Sequence, residues 1–215
     1  WVFFGAAFFW MIFEQAGSTL TLFADEVTNL TVGSDAWRVI PINQPTAITE
    51  SSLAGWEIPA AWMQSINPLF IIIFAPMFAA LWARLADRAP RTPIKFGIAL
   101  IGVGISFAML IIPMSHYQET GQQVTVWWLM MVYLLQTWAE LLLSPNGLCA
   151  STELAPPGTL GQILALWFLA TSVGATVGGQ IARLTADDPT LSFAVCGGLA
   201  IAFGIVMLVM GRRKG

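Results

Sequence analysis

Apolar residues gather along the chain into six long runs separated by polar clusters, roughly at 1–24, 60–83, 94–113, 124–148, 159–183 and 190–210. A bilayer span needs about 20 predominantly apolar residues, and each run meets that length. The pattern predicts an all-α integral membrane protein, a bundle of six transmembrane helices. β-barrel strands would be shorter and would alternate apolar with polar positions. Six spans of similar length could form two inverted three-helix repeats, as many transporters do. That expectation rests on counting, since no internal identity stands out in the sequence.

Interruptions within the runs refine the picture. The first run closes near EQAGSTLTLFADE, where Gly17 and Ser18 loosen a bulky helix. The segment 25–59 that follows exceeds an ordinary connection and holds a glycosylation-type sequon at Asn29. Pro68 and Pro76 each remove a backbone donor and are expected to kink the second span. Trp56, Trp62, Trp127 and Trp128 sit where interfacial belt residues belong. Gly174 and Gly178, four apart on the fifth span, permit close helix contact. Pro145 and Asn146 predict a distorted end to the fourth span.

Composition agrees: the chain is 57% hydrophobic and 10% charged, with a mean hydropathy of +0.74. The placement of charge says more than the net −3. Arg84, Arg88, Arg91 and Lys95 lie between the second and third runs, and Arg212, Arg213 and Lys214 follow the sixth. Together these are seven of the nine basic residues. The segment 25–59 carries Asp25, Glu26, Asp35, Glu50 and Glu57 against Arg38, and 114–123 has no Lys or Arg. By the positive-inside rule the loop 84–93 and the C-terminus are cytoplasmic, while 25–59, 114–123 and 184–189 face outward. The loop 149–158 is inside by counting, although it holds no basic residue. Cys149 and Cys196 read as small apolar packers, without a disulfide framework. The chain has no initiator Met and opens mid-helix, so it is expected to be a piece of a longer polypeptide.

Two ionisable side chains fall well within spans, Glu14 on the first and Glu140 on the fourth. An acid at a helix centre costs about 2.5–3.5 kcal/mol on the translocon scale. Each should therefore face a water-filled cavity or a partner, and no Lys or Arg lies deep within any span. A carboxyl group in low dielectric can change protonation near neutral pH, which proton coupling requires. Gln136, Glu140 and Ser144 recur every four residues and share a face, with Tyr133 and Gly147 on its edges. Gln64 and Asn67 share a face of the second span, and Trp167 lies two turns from Gly174 on the fifth. These polar faces could line one cavity, although polar stripes also join helices in lipid and a mid-span Trp often fills core volume. No chemistry of an enzyme emerges. His116 is the one histidine, in an outward loop, so no metal cluster forms. No phosphate-binding glycine loop or GxSxG elbow is present, and Ser144 has no His nearby. The basic loop RLADRAPRTPIK reads as a topology determinant rather than a nucleic-acid patch.

Four stretches carry a resemblance: FFWMIFEQAGSTLTLFAD, PAAWMQSINPLFIIIFAPMFAALW, AELLLSPNGLCASTELAP and GQILALWFLATSVGATVGG. In this order they are similar to the C-terminal half of the proton-coupled oligopeptide transporters, the POT family of the major facilitator superfamily. RLADRAPR also resembles that superfamily's cytoplasmic Asp-Arg loop. The resemblance implies that residues 1–215 are helices seven to twelve of a twelve-helix carrier, with the N-terminal six-helix bundle absent. It implies proton-driven symport of di- and tripeptides by alternating access in a bacterial inner membrane. It names the proton as coupling ion, with no cofactor. Asn67 of SINP then helps hold the peptide. Glu140 of AELLLS meets the substrate amino terminus and pairs with a basic residue of the other half, with Ser144 lining the same pocket. Trp167 of ALWFLAT walls a side-chain subsite, and Glu14 of FEQ serves outward gating or proton coupling. Gln64 and Gln136 are candidate pocket residues. The paired glutamates and arginine of the family's first helix are missing, so this chain holds one side of the site. Competing readings are another major facilitator carrier, for nitrate or drugs, and a membrane fragment that does not transport.

Overall fold

The structure, a computed structural model, describes residues 1–32 and 55–213. Residues 33–54 of the predicted outward segment, with Asp35, Arg38 and Glu50, lie outside the described residues, as does Lys214. The chain is mostly helical. Helix α1 (Val2–Phe13) passes through a 3₁₀ turn (Glu14–Gly17) into α2 (Thr19–Leu22) and a π-helical turn (Phe23–Val27). A 3₁₀ segment (Ala60–Ser65) leads into α3 (Ile66–Leu85). Then come α4 (Thr92–Thr120), α5 (Trp127–Glu153), α6 (Leu160–Leu184) and α7 (Pro189–Arg213). The expected loosening at Gly17 and Ser18 coincides with the change from 3₁₀ to α geometry.

Among the described residues, four helical stretches are long and apolar enough to cross a membrane: Ala60–Leu85, Thr92–Thr120, Leu160–Leu184 and Pro189–Arg212. The remaining two predicted spans differ for physical reasons. Helix α1 is apolar over its 12 residues and changes geometry at Glu14, the helical run continuing through 3₁₀, α and π turns to Val27. Helix α5 has 27 residues, but Gln136, Thr137, Glu140, Ser144 and Asn146 dilute its apolar character. These two segments also hold the membrane acids.

Several predicted boundaries and features move. Helix α4 runs to Thr120, so His116 lies on its last turns rather than in a loop. Gly121, at φ 67°, ends the helix with its N–H on the Tyr117 carbonyl at 2.8 Å, as a left-handed C-cap does. Helix α5 continues through Pro145 to Glu153 and stops just before Pro156 and Pro157, which cannot extend it. Pro68 lies in the first turn of α3, where no intrahelical N–H is needed, so it breaks nothing there. Pro76 is in the helix interior.

The core lies along α4 and the helices around it, with Phe9, Leu100, Phe107, Leu129 and Phe193 buried. Helices α1 and α6 run side by side in the same direction. A Cβ on Gly174 would lie 2.4 Å from the Ala7 carbonyl, and one on Gly178 would lie 2.2 Å from the Met11 carbonyl. The predicted small-residue contact is therefore made backbone to backbone. Helices α4 and α7 also meet backbone to backbone but antiparallel, with Gly97 against Gly204 and Gly104 against Gly197. At one end, β1 (Thr28–Asn29) pairs in parallel with β2 (Val124–Thr125), and Thr31 bridges to Glu57. These pairings gather Trp56, Trp62, Trp127 and Trp128 at that end.

Candidate functional site

Helices α3 and α5 lie together along a seam that combines aromatic and polar contacts. Phe74 meets Trp138 edge-on, with ring centroids 5.5 Å apart. Toward the start of α3, Asn67 and Glu140 come together: the Asn67 Nδ2 donates to Glu140 Oε2 at 3.3 Å. The spacing Asn67–Pro68 puts the amide in the first turn of α3, clear of the Pro76 interior, and helical periodicity in α5 turns Glu140 toward it. Both side chains are half-buried. The carboxylate has a hydrogen-bond donor on a neighbouring helix and retains further acceptor capacity.

Thr137, one turn before Glu140, completes this cluster. Its hydroxyl is buried, 2.6 Å from Asn67 Oδ1 and 2.8 Å from the Tyr133 carbonyl. Sequence reasoning overlooked it, although three-residue spacing from Glu140 on a helix is the signal that finds it. Ser144, one turn after Glu140, has a buried hydroxyl with no hydrogen-bond partner among the described residues, as does the Tyr133 phenol. Helix α5 thus carries, on either side of its acid, a buried hydroxyl without a partner among the described residues.

The remaining candidates separate. Glu14 is exposed, at the point where α1 tightens into the 3₁₀ turn. Gln136 is buried and donates to Ser106 Oγ at 3.5 Å, tying α5 to α4. Four-residue spacing from Glu140 does not bring it to the same partner, because α5 is flanked by α3 on one side and α4 on the other. Gln64 is exposed and donates to Thr21 Oγ1 at 3.0 Å, bridging the 3₁₀ segment to α2 rather than joining Asn67. Trp167 is only 6% exposed. Its indole rests on Gly147, where a Cβ would lie 2.1 Å from the ring, and it meets Phe96 edge-on at 6.5 Å. It also borders a cavity of about 190 Å³ with Trp1, Ser151 and Leu154. Gly147 lies seven residues past Glu140, about 10 Å along the helix.

At the end opposite the strands, Lys95 joins three helices. Its ammonium sits 4.3 Å from the Trp82 ring centre and donates to Asn146 Oδ1 at 2.7 Å. Asn146 in turn donates to the Leu142 carbonyl at 2.7 Å. The cysteines are unpaired, Cys196 buried and Cys149 exposed. The buried Cys196 packs as expected and accepts a hydrogen bond from Gln15 at 3.4 Å.

Comparison with known proteins places the chain. The family model described as POT family matches residues 42–197. The uncharacterized transporter YclF of Bacillus subtilis is 36% identical over 97% of this chain and 38% of its own length. The di-/tripeptide transporter of Lactococcus lactis subsp. cremoris is 32% identical over 98% of this chain and 39% of its own length. The crystal structure of peptide transporter POT in complex with sulfate superposes with a TM-score of 0.81 at 35% identity, covering 100% of this chain and 39% of that one. The chain thus spans about two fifths of the length of these relatives. It is an integral membrane protein, and it belongs to the POT family.

Proposed function

We propose that this chain is one half of a proton-coupled carrier of di- and tripeptides that works by alternating access. The observation that carries the proposal is the Asn67–Glu140 pair, a membrane carboxylate joined to an amide across α3 and α5 at 3.3 Å. The chain's membership of a transporter family supports it, as does the name of its Lactococcus relative. In this reading all six helical stretches cross the bilayer as two inverted three-helix repeats, forming the second half of a twelve-helix protein. The basic loop after α3 and the C-terminus lie in the cytoplasm, and the strand end faces out. The membrane is the bacterial inner membrane.

The chemistry follows from the acid. Ionised, Glu140 can receive the ammonium of a peptide or a basic side chain from the other half. Protonated, it releases either one. The exchange couples proton movement to substrate release without any cofactor, so the protein acts as a carrier rather than an enzyme. Asn67 orients the peptide, the Ser144 hydroxyl offers a further donor, Glu14 tunes the shared electrostatics, and Trp167 closes the site two turns away. The arrangement needs its counterpart: one face of the cavity belongs to the part of the carrier outside this chain.

The test is uptake of a labelled dipeptide by the full-length protein in proteoliposomes under an inward proton gradient. The expected result is accumulation competed by unlabelled di- and tripeptides but not by nitrate or lipophilic drugs. Competition by nitrate or drugs, with none by peptides, would assign the carrier to another substrate class. A lack of uptake of any of these would mark a membrane protein that does not transport them.

A further inference from the structure

The Thr137–Asn67–Glu140 cluster has one hydrogen too few to satisfy every contact at once. The Thr137 hydroxyl carries one hydrogen yet lies within bonding distance of two acceptors, Asn67 Oδ1 at 2.6 Å and the Tyr133 carbonyl at 2.8 Å. A hydroxyl donates to one acceptor at a time, whereas a primary amide is a donor at one end and an acceptor at the other. Rotating the Asn67 amide by half a turn exchanges its oxygen and nitrogen without moving either neighbour.

Two arrangements then satisfy the cluster, and they differ by one proton. With Glu140 ionised, Asn67 donates to the carboxylate and Thr137 donates to the Asn67 oxygen. With Glu140 protonated, the carboxylic O–H donates to the Asn67 oxygen, the Asn67 NH₂ donates to Thr137 Oγ1, and the Thr137 hydrogen turns to the Tyr133 carbonyl. The proton comes from water and becomes the Glu140 O–H, and no other bond is made or broken. We propose that Thr137 is the positioning residue of this site: it reverses its hydrogen bond so that the Asn67 amide turns over whenever Glu140 gains or loses a proton. Asn67 thereby presents an oxygen to one state of the carrier and a nitrogen to the other, and the proton on α5 is read out on α3. Among the charged groups, Glu14 is exposed on the 3₁₀ turn after α1. Lys95 is engaged by Asn146 and Trp82 about 9 Å further along α5. The coupling role rests on the proton-driven reading above.

Difference infrared spectra of the full-length protein between alkaline and acidic buffer test the turnover directly. The carboxylic C=O band lost in Glu140→Gln should appear together with a shift of the amide C=O band lost in Asn67→Leu. In Thr137→Val the carboxylic band should remain while the amide shift disappears, and Thr137→Ser should restore it. A silent amide band in the unaltered protein, or an unchanged shift in Thr137→Val, overturns the proposal. In proteoliposomes, gradient-driven uptake should fall about ten-fold in Thr137→Val, the factor one such hydrogen bond carries, whereas counterflow should fall less than about three-fold. Equal losses in both assays, or no recovery in Thr137→Ser, would instead mark a merely structural threonine. The infrared arm needs no transport: paired bands without peptide uptake would sink the transport reading and leave the turnover standing, and peptide uptake with a silent amide would do the reverse.

Discussion

Two seams within the same bundle are built in opposite ways. Along α4–α7 the backbones touch. A Cβ on Gly97 would fall 2.8 Å from the Gly204 carbonyl, and one on Gly104 would fall 2.8 Å from that of Gly197. Along α3–α5 the contact is made by side chains, the Phe74–Trp138 edge and the Thr137–Asn67–Glu140 cluster. Helix α3 has no buried residue in its 20, whereas α4 buries residues along most of its length. Water does not drive helix association within lipid, so close packing and interhelical hydrogen bonds must supply it. Backbone packing tolerates no displacement, because a shift of one helix drives atoms into each other. A hydrogen-bonded seam can re-form in a second arrangement. The first seam suits a rigid scaffold and the second suits a moving contact, which alternating access requires of part of the bundle.

Substitutions should separate the seams by size of effect. The largest loss is expected from Gly104→Val, whose branched side chain would meet the Gly197 carbonyl and Ile201 with neither able to withdraw. We expect about 3 kcal/mol of destabilisation, read as a lowered melting temperature of the purified protein. An unchanged melting temperature would mean that the scaffold seam has slack. Gly147→Ala comes next. The new methyl would occupy the position of the Trp167 indole, a side chain that can rotate away at a cost of about 2 kcal/mol. Trp167 fluorescence should report its displacement, and an unperturbed indole would contradict the packing described. Asn67→Leu should have the smallest effect on stability, below about 1 kcal/mol, the usual worth of one interhelical hydrogen bond in lipid. Its gradient-driven uptake should nevertheless be lost. A melting temperature lowered as far as that of Gly104→Val would erase the distinction between the seams.

The sequence disclosed the helices through their apolar runs, because lipid forces backbone hydrogen bonds into helices whatever the tertiary contacts. It also pointed to a partner for Glu140, since an acid among leucines has no cheap alternative, and Asn67 supplies one. It pointed to Gly174 and Gly178 through their spacing of four. The spacing of seven that joins Gly97 and Gly104 to Gly197 and Gly204 is not legible in the sequence, because glycine pairs of that spacing stand out only once the opposing helix is known. Gln136 misled for a related reason. Periodicity fixes which residues share a face, but α5 has different neighbours on adjoining faces, so Gln136 goes to Ser106 and Glu140 to Asn67. Thr137 is a common type of helix residue whose local bond to Tyr133 gives no hint of its second partner. His116 and the end of α5 were misplaced because polar residues at the membrane boundary continue a helix as readily as they end it.

The central claim is that the proton-coupling group of this half sits on the hydrogen-bonded seam, at Glu140. Its most direct test is Glu140→Gln in the full-length protein reconstituted into proteoliposomes. The amide keeps the size and hydrogen-bonding capacity of the acid but cannot ionise. The variant should insert and fold with an unchanged melting temperature, and lose accumulation driven by a proton gradient at every pH. Normal, pH-dependent accumulation by that variant would contradict the account.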